Sequence, residues 1–70
     1  MNLEEVLPGK EVVIEGFVGT KDLLNKVQAM GLRKGKKVKV LRKLGRNILL
    51  GLNNSRLVLS KDIARYIIVQ

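Results

Sequence analysis

Leu23-Leu24-Asn25-Lys26-Val27-Gln28-Ala29-Met30-Gly31-Leu32-Arg33-Lys34-Gly35-Lys36-Lys37-Val38-Lys39-Val40 is the stretch that decides how this chain folds. Leu23, Leu24, Val27 and Met30 recur at the spacing that lines one face of a 3.6-residue helix. Gly31 supplies the left-handed residue that ends a helix at little cost, and it places Leu32 to pack back on Val27. Arg33-Lys34-Gly35 turns the chain. Val38 and Val40 then alternate with Lys37 and Lys39, the period of a half-buried strand. Basic charge begins in the same place: from Arg33 to Arg46 there are eight Lys or Arg residues and no acid. A fold signature and a contact surface therefore overlap.

Upstream of this stretch, Asn2 with Glu5 three residues on can form a capping box around one helical turn, with Leu3 and Val6 facing inward. Leu7-Pro8-Gly9 ends that turn, and Lys10 to Phe17 reads as the first strand. Gly16 is expected to mark a bulge that re-aims Phe17. Thr20 is the N-cap of the main helix, with Asp22 favourable in its first turn.

Downstream, a strand over Lys37 to Arg42 leads through Leu44-Gly45-Arg46-Asn47, a hairpin loop, into a strand with Ile48, Leu50 and Leu52 on one face. Asn53-Asn54-Ser55 reads as a second turn, with asparagine expected to take the positive φ of a tight hairpin. Arg56 to Leu59 is a fourth strand, Ser60 caps one helical turn through Ala64, and Tyr66 to Val69 closes as a fifth. Leu7-Pro8-Gly9-Lys10 before Val12 and Ile14 echoes Leu32-Arg33-Lys34-Gly35-Lys36 before Val38 and Val40, as two similar turns that each lead into a strand.

Five short strands joined by tight turns bury their faces best as a small closed barrel, since closure removes exposed edges. The expected fold is therefore mainly β, with one helix, between the first two strands, plugging one end. At 70 residues the chain is read as one domain, residues 1–70, in which burial is thin.

There is no cysteine and no histidine, which removes disulfide staples and the commonest zinc ligands. The six carboxylates are not clustered as a calcium loop demands. No cofactor or metal is expected. Histidine-assisted nucleophilic catalysis is impossible, Ser55 and Ser60 are explained by turn and cap chemistry, and Glu11 with Glu15 reads as a solvated face. No phosphate-binding glycine loop is present, so the chain is not expected to be an enzyme. No segment is apolar and long enough to cross a bilayer and no signal-peptide pattern opens the chain, which points to the cytoplasm. A net charge of +8 predicts attraction to nucleic acid, anionic lipid or an acidic protein face.

The order of Leu7-Pro8-Gly9, Leu23-Leu24, Ala29-Met30-Gly31-Leu32 and Val38 with Val40 resembles the ferrous iron transport protein A (FeoA) domains over nearly the whole chain. The ending Leu57-Val58-Leu59-Ser60-Lys61-Asp62-Ile63-Ala64-Arg65-Tyr66-Ile67-Ile68-Val69 is also similar to that family. Two departures are Arg33-Lys34, where a proline usually precedes the second glycine, and the short loop at Leu44-Gly45-Arg46-Asn47. The resemblance implies an SH3-like barrel without catalysis. It also implies a partner, the cytoplasmic part of a GTP-binding ferrous iron membrane transporter (FeoB-like); similar domains form the C-terminal modules of metal-dependent repressors.

Partner contact is expected from the exposed helix residues Lys21, Leu24 and Lys26 together with Met30 and the basic lead into the second strand, Arg33, Lys34, Lys36 and Lys37. Leu24 would anchor and the lysines would steer. The alternative is a basic nucleic-acid-binding barrel, RNA- or ribosome-associated. Phe17 and Tyr66 are the only aromatics, too few for an interleaved stacking platform.

Overall fold

Two four-residue turns set the geometry of the sheet. Leu7-Pro8-Gly9-Lys10 and Arg33-Lys34-Gly35-Lys36 each close with a hydrogen bond from the fourth N–H to the first carbonyl, at 3.2 and 3.0 Å. Each carries a glycine at positive φ, +91° and +89°, in the third place. Those are the marks of a type II turn, whose third position an L side chain resists. In the computed structural model, which describes residues 1–70, each turn feeds a strand: β1 (Glu11–Phe17) and β2 (Lys37–Leu44).

Backbone hydrogen bonds lock each turn to the opposite strand. Gly9 N–H donates to Val40 O and Val40 N–H to Lys10 O; Gly35 N–H donates to Ile14 O and Ile14 N–H to Lys36 O. Residue n of the first segment thus corresponds to n + 26 of the second, an approximate two-fold relation centred on the Val12–Val38 pair. The relation reaches further than the sequence echo suggests. Each strand carries one extra residue at the same place: Glu15, between Ile14 and Gly16, in β1 and Leu41, between Val40 and Arg42, in β2. The expected bulge near Gly16 is thus present, with Glu15 as the inserted residue.

Between them lies α1 (Lys21–Ala29), capped by the Thr20 hydroxyl, which accepts from Leu23 N–H at 3.2 Å. Its end is a Schellman motif: Leu32 N–H donates to Val27 O at 3.1 Å and Gly31 N–H to Gln28 O at 3.0 Å, with Gly31 at φ +91°. Val27 and Leu32 are both buried there, so the helix stop is also a packing contact.

β3 (Asn47–Gly51), β4 (Arg56–Ser60), α2 (Lys61–Ala64) and β5 (Ile67–Val69) complete an antiparallel sheet of order β4-β3-β2-β1-β5. β1 divides its pairing, Glu11 to Val13 with β2 and Ile14 to Phe17 with β5, and so bends the sheet into a small SH3-like barrel, but the closure expected is not completed by strand pairing. β4 and β5 do not pair with one another. That seam is filled by α2 and by a 3₁₀ turn, Leu3–Glu5, held by the Asn2–Glu5 capping box. Lys43 Nζ donates to Glu4 O at 2.8 Å across the end of the barrel, and Arg65 pairs with Glu4 and Asp62 at 3.3 and 2.8 Å. Asn2 bridges to Ile68, which ties the start of the chain to β5.

The core comprises Leu3, Val6, Ile14, Val27, Leu32, Val38, Val40, Ile48, Leu50, Leu59, Ala64, Ile67 and Val69, with no polar residue among them. Of the expected helix ring, Val27 alone is fully buried, and Leu24 and Met30 pack on the core half-exposed. One turn differs from expectation. No residue other than glycine has positive φ, so Asn53 and Asn54 are not left-handed. Leu52 N–H donates to Ser55 O at 2.9 Å, so a wider turn joins β3 to β4 and no left-handed residue is required.

Candidate functional site

Two of the surface depressions have opposite character, and a third, polar one of mixed charge lies among Glu4, Gly45, Arg46, Lys61, Asp62 and Arg65. The first is a shallow apolar dimple with no room for a water molecule, where α1 meets the end of β1 and the start of β5, bordered by Phe17, Val18, Leu23, Leu24, Val27, Tyr66 and Ile67. Val18 and Tyr66 are 52% and 44% exposed, so the rim offers apolar area to solvent. Local backbone chemistry holds the rim in place: Val18 N–H donates to Tyr66 O at 2.9 Å, extending the β1–β5 pairing by one bond. A side chain at Gly19 would come within 3.2 Å of both Leu23 and the Tyr66 ring, so the absence of one lets helix and ring close on each other.

The second depression is basic and lies on the outer face of the sheet. Glu11, Lys39, Gly51 and Arg56 are successive partners across β1, β2, β3 and β4 and form a row. Lys37 and the turn Asn53–Ser55 complete the walls. Gly51 has no side chain of its own, and Leu41, the inserted residue of β2, fills that space as the floor, 3.3 Å from where a Cβ would stand. Lys37, Lys39 and Arg56 make no ion pair; both of the chain's ion pairs belong to Arg65.

Of the expected contact residues, Leu24 and Lys37 alone line a depression, one each, and the other six stand outside both. Lys21 and Lys26 are exposed on α1, and Leu24 forms part of the apolar wall. Arg33 and Lys34 are exposed in the turn after the helix, with Met30 half-buried at the helix end and Lys36 half-buried at the turn's last position. A nine-residue helix spans about 13 Å, so Lys21 and the Arg33–Lys34 turn stand at opposite ends of α1 with Leu24 between. Lys37 lines the basic depression, and Leu24 the apolar one.

Val18, Tyr66, Lys39 and Arg56 line these depressions without being marked as contact residues by the sequence. Val18 and Tyr66 stand next to strand ends, where no periodicity reports on them. Arg56 joins Lys39 through strand register alone, although alternation does put Lys39 on the solvent face. No three of the chain's Asp and Glu residues come together as a metal-holding group, and no helix is long and apolar enough to cross a membrane.

A family model, the FeoA domain, matches residues 1–70. An FeoA-like protein from Clostridium acetobutylicum superposes with a TM-score of 0.91 at 28% identity, covering 100% of this chain and 84% of that one. An iron uptake regulatory protein (FeoA) gives 0.91 at 24% identity over 100% and 95%, a likeness of fold. The regulator ScaR, solved with bound Cd²⁺, gives 0.89 at 24% identity over 100% of this chain but 35% of its own, so there the same fold is one part of a longer protein. No curated protein matches in sequence.

Proposed function

The chain belongs to the FeoA domain family, a family of ferrous iron transport systems, and from that premise we propose that it is a non-catalytic accessory protein that docks on the cytoplasmic part of the GTP-binding iron transporter and biases its working cycle. The observation that carries this reading is the apolar surface patch at Val18 and Tyr66, both half-exposed, beside a helix that presents Lys21 and Lys26. An apolar anchor flanked by charge is the composition of a docking site: the anchor sets residence time and the charge sets the rate of encounter. Leu24 supplies part of the anchor. Met30, Arg33, Lys34, Lys36 and Lys37 extend the contact past the helix end, toward an acidic protein face or the anionic lipid beside it.

The nucleic-acid reading has less support. Both aromatic rings, Phe17 and Tyr66, belong to the apolar patch, and none stands among Lys37, Lys39 and Arg56, so that face can hold phosphates but cannot stack bases.

Capture of the tagged protein from membrane extract tests the docking reading. The wild type is expected to retain the transporter and Val18→Glu to lose it with an unchanged melting temperature. Deleting the gene is expected to lower ferrous iron uptake under iron limitation; unchanged uptake would overturn the proposal.

A further inference from the structure

We propose that the basic depression on the outer sheet face is a binding site for a small phosphate-bearing ligand, its phosphate held between Lys39 and Arg56 above the Leu41 side chain that covers Gly51. Lys39 and Arg56 flank Gly51 on the same row, two strand spacings apart, about 10 Å at the backbone. Both side chains are long enough to converge over that gap, and Lys37 stands one pleat away on the same strand face. Three cations thus face one hollow with no ion pair among them, a repulsive arrangement that a multiply charged anion relieves. Arginine suits the role because its planar fork meets two phosphate oxygens at once.

The walls add neutral donors. The N–H groups of Asn53, Asn54 and Ser55 donate to no acceptor within the fold, and the Ser55 hydroxyl stands with them. The open hollow measures about 440 Å³, larger than one phosphate and within the range of small-ligand sites. Leu41 and Leu52 are its sole apolar lining. The site therefore suits a diphosphate or a phosphorylated metabolite, with recognition resting on the phosphate. Glu11 stands at the end of the row beside Lys39 and opposes binding, which supplies a test of opposite sign.

Amide NMR with pyrophosphate as the probe reads the site directly. Saturable shifts are expected at Lys37 to Lys39, Gly51 and Asn53 to Arg56. Arg56→Gln should weaken binding at least about fivefold, the loss of a charge-assisted hydrogen bond, and Glu11→Gln should tighten it about threefold. Both residues are exposed, and an unchanged melting temperature verifies that the fold is intact. Shifts of equal size at Arg33 and Lys34, or an Arg56→Gln variant that binds as the wild type does, would overturn the proposal and leave only diffuse attraction. Binding to phosphatidylglycerol vesicles without saturable pyrophosphate binding would also overturn it, assigning the face to lipid. Loss of transporter capture in Val18→Glu leaves this result untouched, so the two proposals fail separately.

Discussion

Gly31 and Gly16 place opposite demands on the residue that occupies them. Gly31 sits at φ +91° with open space around it, so a side chain there is opposed by backbone conformation alone. Gly31→Ala is expected to cost about 1–2 kcal/mol in a denaturant melt. Gly16 has no positive φ and no atom within 4 Å of a built Cβ, so Gly16→Ala should fall within about 0.5 kcal/mol of neutral or stabilise. Lys34 offers the reverse opportunity. It occupies the second place of a type II turn, its N–H donates to no acceptor in the fold, and Pro8 fills the matching place in the other turn. Lys34→Pro should stabilise by about 0.5–1 kcal/mol, raising the melting temperature by about 3–6 °C.

The 3₁₀ turn Leu3–Glu5 is the shortest helical element, and Leu3 within it is fully buried in the seam between β4 and β5. Leu3→Ala should therefore cost about 2–4 kcal/mol, as a change at Leu50 would, and hydrogen exchange should accelerate first at Ile68 and Val69. Equal exchange at every strand would contradict this role for the turn. The turn is legible in the sequence because a capping box is a local device: Asn2 and Glu5 announce it within four residues. The same holds for the Schellman stop at Gly31 and the caps at Thr20 and Ser60. What is not legible depends on distant partners. Lys43 reaching Glu4, and Arg56 joining Lys39 across Gly51, are set by register between strands, which no window of sequence contains. The turn at Asn53–Ser55 departs from expectation because asparagine permits a left-handed conformation without compelling it.

Across the whole molecule, charge is distributed with little compensation: of fourteen Lys and Arg residues, Arg65 alone forms ion pairs. Self-repulsion at net charge +8 should weaken the folded state at low ionic strength. Raising salt from about 10 to about 150 mM shortens the screening length from about 30 to about 8 Å and is expected to raise the melting temperature. A temperature that stays flat or falls would show that the charges are already too far apart to interact. The near two-fold relation of β1 to β2 bears on how anything lies along this face. By backbone shape alone, a bound chain or ligand would fit almost as well turned end for end, because the turns and inserted residues match on both sides. Charge removes that ambiguity: where one half presents Glu11 and Val13, the other presents Lys37 and Lys39. Exchanging the two pairs, with Glu11→Lys and Val13→Lys against Lys37→Glu and Lys39→Val, should reverse the direction in which an asymmetric ligand lies, detectable as an inverted pattern of broadening from a spin label at one of its ends. On a scaffold that reads nearly the same from either side, those few charges supply an arrow.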